Sequence, residues 1–295
     1  MKCPPIIAVL LFAGTLCACR KTAEPVATQT LPQARAGFVT KLIRKDSDGE
    51  PAPEPPEGVL QLVNYRGPLG GMPAYVTPRP AGGGRHPAII WITGGFSNSI
   101  SPVQWKPAPA TNDQSARAFR EAGIVTMYPS MRGGNDSPGF MENFYGEVDD
   151  VLAAVDYLAK LDYVDPARIY LGGHSTGGTV AMLVAESSDR FRAVFAFGPI
   201  DDVRHYDPKE LGFDLSDPRE SDLRSPVKWL QGIRTPVFAL EGTDKPSNIG
   251  PLKTMAGASR NPLAHFIPVR GATHFTILAP VTSIIAQKIL LDNGP

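Results

Sequence analysis

From about residue 58 onward, short apolar runs alternate along the chain with longer stretches in which apolar residues recur at helical spacing. The run at 88–92 is continuously apolar, which is typical of a strand buried on both faces of a sheet. Runs of the same kind lie at 124–128, 168–171, 193–197, 236–240 and 265–269. Each run is short enough to be a strand, so the pattern predicts six buried strands.

The clearest helical stretch covers about 143–160. Its apolar residues form one stripe: Val148, Val151, Leu152, Val155 and Leu158. Further helices are predicted near 112–122, 177–188, 222–231, 249–258 and 280–291. At the start of this region, 59–63 and 74–76 flank a Gly/Pro-rich turn, as in a hairpin. The pattern predicts an α/β fold: a mainly parallel twisted sheet with helices on both faces and an antiparallel N-terminal hairpin.

The first residues have the character of a targeting signal. Lys2 precedes an apolar run at 6–13 that is short for a membrane span. Leu16-Cys17-Ala18-Cys19 then resembles the bacterial lipobox, which implies a lipoprotein signal peptide over 1–18 and a lipid on Cys19. Arg20 fits the sorting pattern of outer-membrane lipoproteins, so the expected location is the periplasmic face of that membrane. An ordinary cleaved signal peptide is the alternative.

Residues 19–57 are rich in Pro and Ala and are predicted to tether the anchor to a domain over 58–295. Within the tether, 38–43 is a candidate edge strand, and within the domain, about 199–232 is a candidate small cap over the site. The charge composition argues against nucleic acid as a partner. The chain has 295 residues, with 29 Lys and Arg against 29 Asp and Glu, and a protein without net positive charge is a poor nucleic-acid binder.

The strongest chemical signal is Gly173-His174-Ser175-Thr176-Gly177, a Gly-x-Ser-x-Gly sequence between an apolar strand and a helix. This context predicts a sharp turn that presents Ser175 as a nucleophile above the sheet edge. The two glycines avoid clashes with neighbouring backbone, and the Thr176 N–H can face a developing oxyanion. His174, adjacent to the nucleophile, is interpreted as a packing or hydrogen-bonding neighbour.

Two further loops supply partners for Ser175. Thr93-Gly94-Gly95-Phe96 follows a buried strand, and an N–H group of Gly95 or Phe96 is the expected second oxyanion donor. His274 follows the last predicted strand and is the expected base, since a serine hydroxyl is a weak nucleophile without one.

The acid that orients His274 has two candidates in the segment after the strand at 236–240. Asp244 is the first choice, because it lies a few residues beyond the strand end. Glu241 lies at the strand end itself and is the alternative. In either case the order nucleophile, acid, histidine is that of the α/β-hydrolases.

Within the α/β-hydrolases, the chain resembles the catalytic domain of the prolyl oligopeptidase and dienelactone hydrolase group. The resemblance rests on the Ser175 turn, on Arg132-Gly133-Gly134, on the predicted helix at 146–158 and on Ser225-Pro226. It implies a serine hydrolase, first of carboxylesterase type, cleaving a small ester through an acyl-enzyme on Ser175. The alternatives are a serine peptidase of that group without a propeller, acting on short peptides, and a non-catalytic surface lipoprotein. No metal or organic cofactor is expected, and the expected membrane contact is the lipid on Cys19.

Overall fold

The computed structural model describes residues 29–294. Its strands are β1 (Gln61–Gly67), β2 (Gly70–Val76), β3 (His86–Ile92), β4 (Val125–Pro129), β5 (Val164–His174), β6 (Val194–Phe197), β7 (Val237–Gly242) and β8 (Ala264–Val269). Its α-helices are α1 (Leu31–Arg35), α2 (Ala118–Glu121), α3 (Glu147–Leu158), α4 (Thr176–Ser187), α5 (Pro218–Asp222), α6 (Ile249–Ala258) and α7 (Leu278–Leu291).

All eight strands lie in one sheet, in the order β1-β2-β4-β3-β5-β6-β7-β8. Strands β1 and β2 form an antiparallel hairpin, β2 also runs antiparallel to β4, and every other neighbouring pair is parallel. The predicted mainly parallel sheet with an antiparallel N-terminal hairpin is confirmed. Since parallel strands end at the same edge, the loops after β3, β5, β7 and β8 lie together.

Helices cover both faces of the sheet, as predicted. One apolar cluster joins the sheet to α3, α4 and α6, and a second joins its other face to α2 and α7. The stripe on α3 is buried at Val148, Val151, Val155 and Leu158. Both faces of the central strands are therefore covered, which accounts for their uninterrupted apolar sequence.

The helix predicted at 222–231 is wrong. Helix α5 ends at Asp222, and the rest of this stretch forms two 3₁₀ turns, Pro226–Lys228 and Leu230–Gly232. Pro226 has no N–H to donate to a preceding carbonyl, and its ring disfavours helical geometry at Ser225. The candidate cap, 199–232, therefore consists of short turns with the single five-residue helix α5.

Residues 38–43 do not form an edge strand of the sheet. Leu42 makes one isolated antiparallel bridge with Phe213 of the cap, and the Lys41 N–H and Thr40 hydroxyl both donate to the carboxylate of Glu220. Glu220 is itself buried and paired with the buried guanidinium of Arg224. Residues 40–42 of the predicted tether thus lie against the cap, where backbone and charged groups hold them.

The predicted signal peptide (1–18) and Cys19 and Arg20 lie outside the described residues. Between residues 29 and 294, no helix has the length and apolar character needed to cross a membrane.

One carboxyl group is buried without compensation on α4. Glu186 is 2% exposed, and neither of its carboxyl oxygens has a hydrogen-bond partner among the described residues. Burial raises the pKa of Glu186 well above its usual value, so the folded protein holds this proton to a higher pH than the unfolded chain does. The unfolded chain releases that proton above about pH 4.5. The unfolded state then binds fewer protons than the folded state, and stability falls as pH rises.

We therefore expect Glu186→Gln to be more stable than the wild type at pH 8, with a smaller difference at pH 5. The gap should widen by at most about 1.4 kcal/mol per pH unit. Urea unfolding at both pH values measures it, and Glu57→Gln, which changes an exposed glutamate, is the matched control. Parallel pH dependences for the wild type and Glu186→Gln would show that Glu186 ionises in the folded protein.

Candidate active site

Ser175 lies at a forced turn between β5 and α4. Its backbone has φ 55° and ψ −116°, a conformation that costs a non-glycine residue about 1–3 kcal/mol. The surrounding backbone requires this conformation: a Cβ at Gly173 or Gly177 would collide with main-chain atoms, and the Ser175 N–H donates to the Phe197 carbonyl at 2.7 Å. The sharp turn expected from the Gly-x-Ser-x-Gly sequence is present, and it leaves the half-buried serine at the carboxyl edge of the sheet.

The loop after β3, residues 93–96, lies directly against this turn. A Cβ on Gly94 would stand 3.0 Å from the Ser175 Cβ, so any other residue would push the loop and the turn apart by a few tenths of an ångström. Gly95 has φ +107°, which also favours glycine. The Thr176 hydroxyl donates to the Gly95 carbonyl at 2.7 Å and fixes the loop to the start of α4.

The N–H groups predicted as oxyanion donors are available. Among residues 29–294, those of Gly95, Phe96 and Thr176 donate to no carbonyl or side chain. Thr176 opens α4, where N–H groups lack intrahelical acceptors and the helix dipole favours negative charge. In a trans peptide the carbonyl and the following N–H point in opposite directions. The Gly95 carbonyl and the Phe96 N–H belong to the same peptide. Because this carbonyl faces the Thr176 hydroxyl, the Phe96 N–H points away from that hydroxyl.

His274 lies in the loop after β8 and is paired with a carboxylate. Its Nδ1 lies 3.0 Å from Oε2 of Glu241, and the side chains are 9% and 0% exposed. A carboxylate accepts hydrogen bonds, so Nδ1 carries the proton and Nε2 of the neutral ring has a free lone pair. This is the form of imidazole that can accept a proton from a hydroxyl.

The carboxylate beside His274 is Glu241, so the first choice of acid, Asp244, is corrected to the alternative. Asp244 is exposed, and its carboxylate accepts from the neighbouring Thr243 hydroxyl. Strand β7 continues to Gly242 and pairs with β8 up to Val269, so Glu241 is still part of the sheet. Side chains alternate in direction along a strand, and the side chain of Glu241 points under the loop that carries His274. Asp244 lies beyond the strand end, and its side chain points outward.

Gly198, which sequence reasoning missed, lies against this pair. Its φ is +58°, and a Cβ there would collide with the His274 ring and with Oε2 of Glu241. The Gly198 N–H donates to the Leu240 carbonyl, and its own carbonyl accepts from the Asn248 side chain at 2.9 Å. The only sequence signal was a glycine directly after the buried run at 193–197.

The Ser175 hydroxyl itself has no hydrogen-bond partner among the described residues, and neither has Nε2 of His274. Nucleophile–base hydrogen bonds are often long without substrate and shorten when one binds. The other oxygen of Glu241, Oε1, is buried without a partner within residues 29–294. Among residues 29–294, the imidazole of His274 is therefore the group that offsets the cost of burying the Glu241 carboxylate.

Arg132 braces the neighbouring loops. Its guanidinium bonds Asp150 through Nε and Nη2 at 2.9 Å and Glu142 through Nη1 at 2.8 Å. Burial opposes its charge, but these carboxylates raise the pKa of Arg132 above its usual value. The Arg132 carbonyl accepts from the side chain of Asn98, which follows the loop at 93–96. A buried, fully engaged arginine supports the loop that faces Ser175 from behind.

Comparison with known proteins places this geometry among related folds. The sequence model of the prolyl oligopeptidase family matches residues 110–231. Dipeptidyl-peptidase 5 of Porphyromonas gingivalis is 26% identical over 185 residues, which are 54% of this chain and 25% of that protein. The chain thus spans about a quarter of the length of this relative.

Solved structures agree on the fold. A puromycin-hydrolyzing peptidase of Mycobacterium tuberculosis superposes with a TM-score of 0.62 at 21% identity, over 79% of this chain and 39% of that one. An esterase of Pyrobaculum calidifontis superposes with a TM-score of 0.55 at 20% identity, over 80% of this chain and 86% of that one. These likenesses confirm the α/β-hydrolase fold. The match of residues 110–231 to the prolyl oligopeptidase family model confirms the resemblance to that group.

Proposed function

We propose that this chain, an α/β-hydrolase that resembles the prolyl oligopeptidase group, is a serine hydrolase that cleaves a carboxylic ester. The observation that carries the proposal is the buried Glu241–His274 hydrogen bond beside a strained serine at the strand-to-helix turn. A structural turn does not need a nucleophile in a costly conformation, and the buried carboxylate of Glu241 is costly unless it is paired, as it is with His274. Together they form the nucleophile, base and acid of acyl transfer.

In the proposed reaction, Nε2 of His274 takes the Ser175 proton as Oγ attacks the ester carbonyl. The carbonyl oxygen becomes negative and binds the N–H groups of Thr176 and Gly95, with Phe96 as the alternative donor. His274 then protonates the leaving alcohol, which departs and leaves an acyl group on Ser175. Water, deprotonated by His274, attacks that acyl group, and the acid leaves with Ser175 restored. Glu241 stabilises the imidazolium in both halves.

Support for an ester comes from the Pyrobaculum calidifontis esterase, which this chain matches over most of that protein's length. A peptide substrate is the second candidate, because the family match and the curated relatives are named as peptidases. The two activities share the same catalytic groups and differ in leaving group and in binding of the flanking residues.

Fluorophosphonate labelling tests the proposal directly. We expect the full chain to label, with the modified peptide mapping to Ser175, and to hydrolyse short-chain nitrophenyl esters. Aminoacyl nitroanilides, measured as kcat/KM beside the esters, distinguish the two substrate classes. Absence of labelling would exclude a serine hydrolase, whereas faster nitroanilide than ester turnover would replace the esterase with a peptidase.

A further inference from the structure

His174, the residue before the nucleophile, lies between the two loops that serve Ser175. It ends β5, is 0% exposed, and its ring centroid is 4.5 Å from that of His274. Its Nε2 donates to the main-chain carbonyl of His274 at 2.9 Å. The contact reaches the backbone of the expected base, not its ring nitrogens.

On its other side His174 faces Gln114. Nδ1 of His174 lies 3.0 Å from the side-chain oxygen of Gln114, and the Gly94 N–H lies 3.3 Å from the same oxygen. His174 and Gln114 thus lie between the loop of His274 and the loop that carries the oxyanion donors. His174 is the member of this series that contacts the base.

The protonation of His174 follows from its partners. A carbonyl oxygen only accepts, so Nε2 must carry the proton. Burial, together with the nearby His274, lowers the pKa of His174 to about 3, so the ring is neutral and has this one proton. Nδ1 is then an acceptor, and a half-turn of the Gln114 amide presents an NH₂ donor to it in exchange for the contact with the Gly94 N–H.

The main chain of His274 is held from both directions. Its N–H donates to the Pro246 carbonyl at 2.7 Å, and its carbonyl accepts from His174. The two main-chain hydrogen bonds fix the position of the His274 backbone, and the hydrogen bond to Glu241 fixes the orientation of its ring. Without His174 one of these three restraints is lost, and the carbonyl is left without its partner in a buried position.

We propose that His174 is a positioning residue that holds the main chain at His274 and so keeps the imidazole in reach of Ser175. This inference rests on the proposed function. It goes beyond a packing role, because it assigns the effect to one donated hydrogen bond. Displacement of a catalytic group by about 1 Å can lower the rate by about 100-fold, although the group itself is intact.

Two substitutions separate the hydrogen bond from the volume of the ring. His174→Leu fills the space but donates nothing, and we expect kcat to fall by about 100-fold with KM changed by less than about threefold. In His174→Gln the amide nitrogen takes the place of Nε2, and kcat should recover to within about tenfold of the wild type. His265→Leu, the same change at an exposed histidine on β8, is the matched control and should retain wild-type rates.

The outcomes distinguish this inference from the proposed function. If the wild type is active and His174→Leu equals it, or if folded His174→Gln is no better than His174→Leu, the positioning role is wrong. If the wild type is inactive, the proposed function fails, and ¹⁵N NMR of the histidine rings then decides the inference. A proton on Nε2 of His174 from pH 5 to pH 8, with a His274 main-chain amide shift in His174→Leu, is expected. A proton on Nδ1 would overturn it.

Discussion

Replacement of Ser175 by alanine is expected to lower kcat for a nitrophenyl ester by about a million-fold, as loss of the nucleophile does in other serine hydrolases. The acyl-enzyme requires an oxygen at this position, and water entering in its place is neither held nor activated to the same degree. The residual rate should remain above that of water alone by about 10³-fold, because the oxyanion donors are untouched. Initial-rate assays of the wild type and long incubations of the purified variant measure the loss in kcat. Comparison with the rate in buffer alone measures the residual activity.

Ser175→Ala should neither relieve nor add much backbone strain, since alanine must adopt the same positive φ. The melting temperature should therefore stay close to that of the wild type, which separates lost chemistry from lost folding. Ser283→Ala, on the exposed side of α7, is the matched control. Fluorophosphonate labelling that persists in Ser175→Ala would place the nucleophile elsewhere.

Glu241→Gln is expected to lower kcat by about 10⁴-fold, as loss of the corresponding charge does where a buried carboxylate orients a catalytic histidine. The glutamine amide can donate to Nδ1 of His274, which moves the ring proton to Nε2 and leaves no lone pair for the Ser175 proton. The imidazolium formed in the reaction also loses its counter-charge. Nitrophenyl ester kinetics at pH 7 measure the loss.

Asp244→Asn is the control that the structure provides for this prediction. Asp244 is exposed and has no contact with His274, so its neutralisation should change kcat by less than about twofold. A large loss in Asp244→Asn together with near-normal Glu241→Gln would restore Asp244 as the acid. Equal losses in both would show that each carboxylate contributes.

The local features of the fold were predictable because each depends on residues close in sequence. Alternation of apolar runs and amphipathic stretches marked all eight strands, and the helix at 249–258 was located to the residue. The prediction failed at 222–231, where an apolar pattern outweighed the effect of Pro226. It also missed how 38–43 would lie, because the position of this segment depends on Phe213 and Glu220, which are distant in sequence.

The active site was likewise predictable only where its residues are close in sequence. The sequence alone determined the turn at Ser175, since its glycines, strand and helix are contiguous, and it determined that a histidine in the last post-strand loop could face it. Only the tertiary structure chose Glu241 over Asp244, because the choice depends on where β7 stops and on which way each side chain points at the sheet edge. It alone revealed Gly198 and the bond from His174 to His274, since these contacts join residues 43 to 100 positions apart through packing that no local pattern encodes.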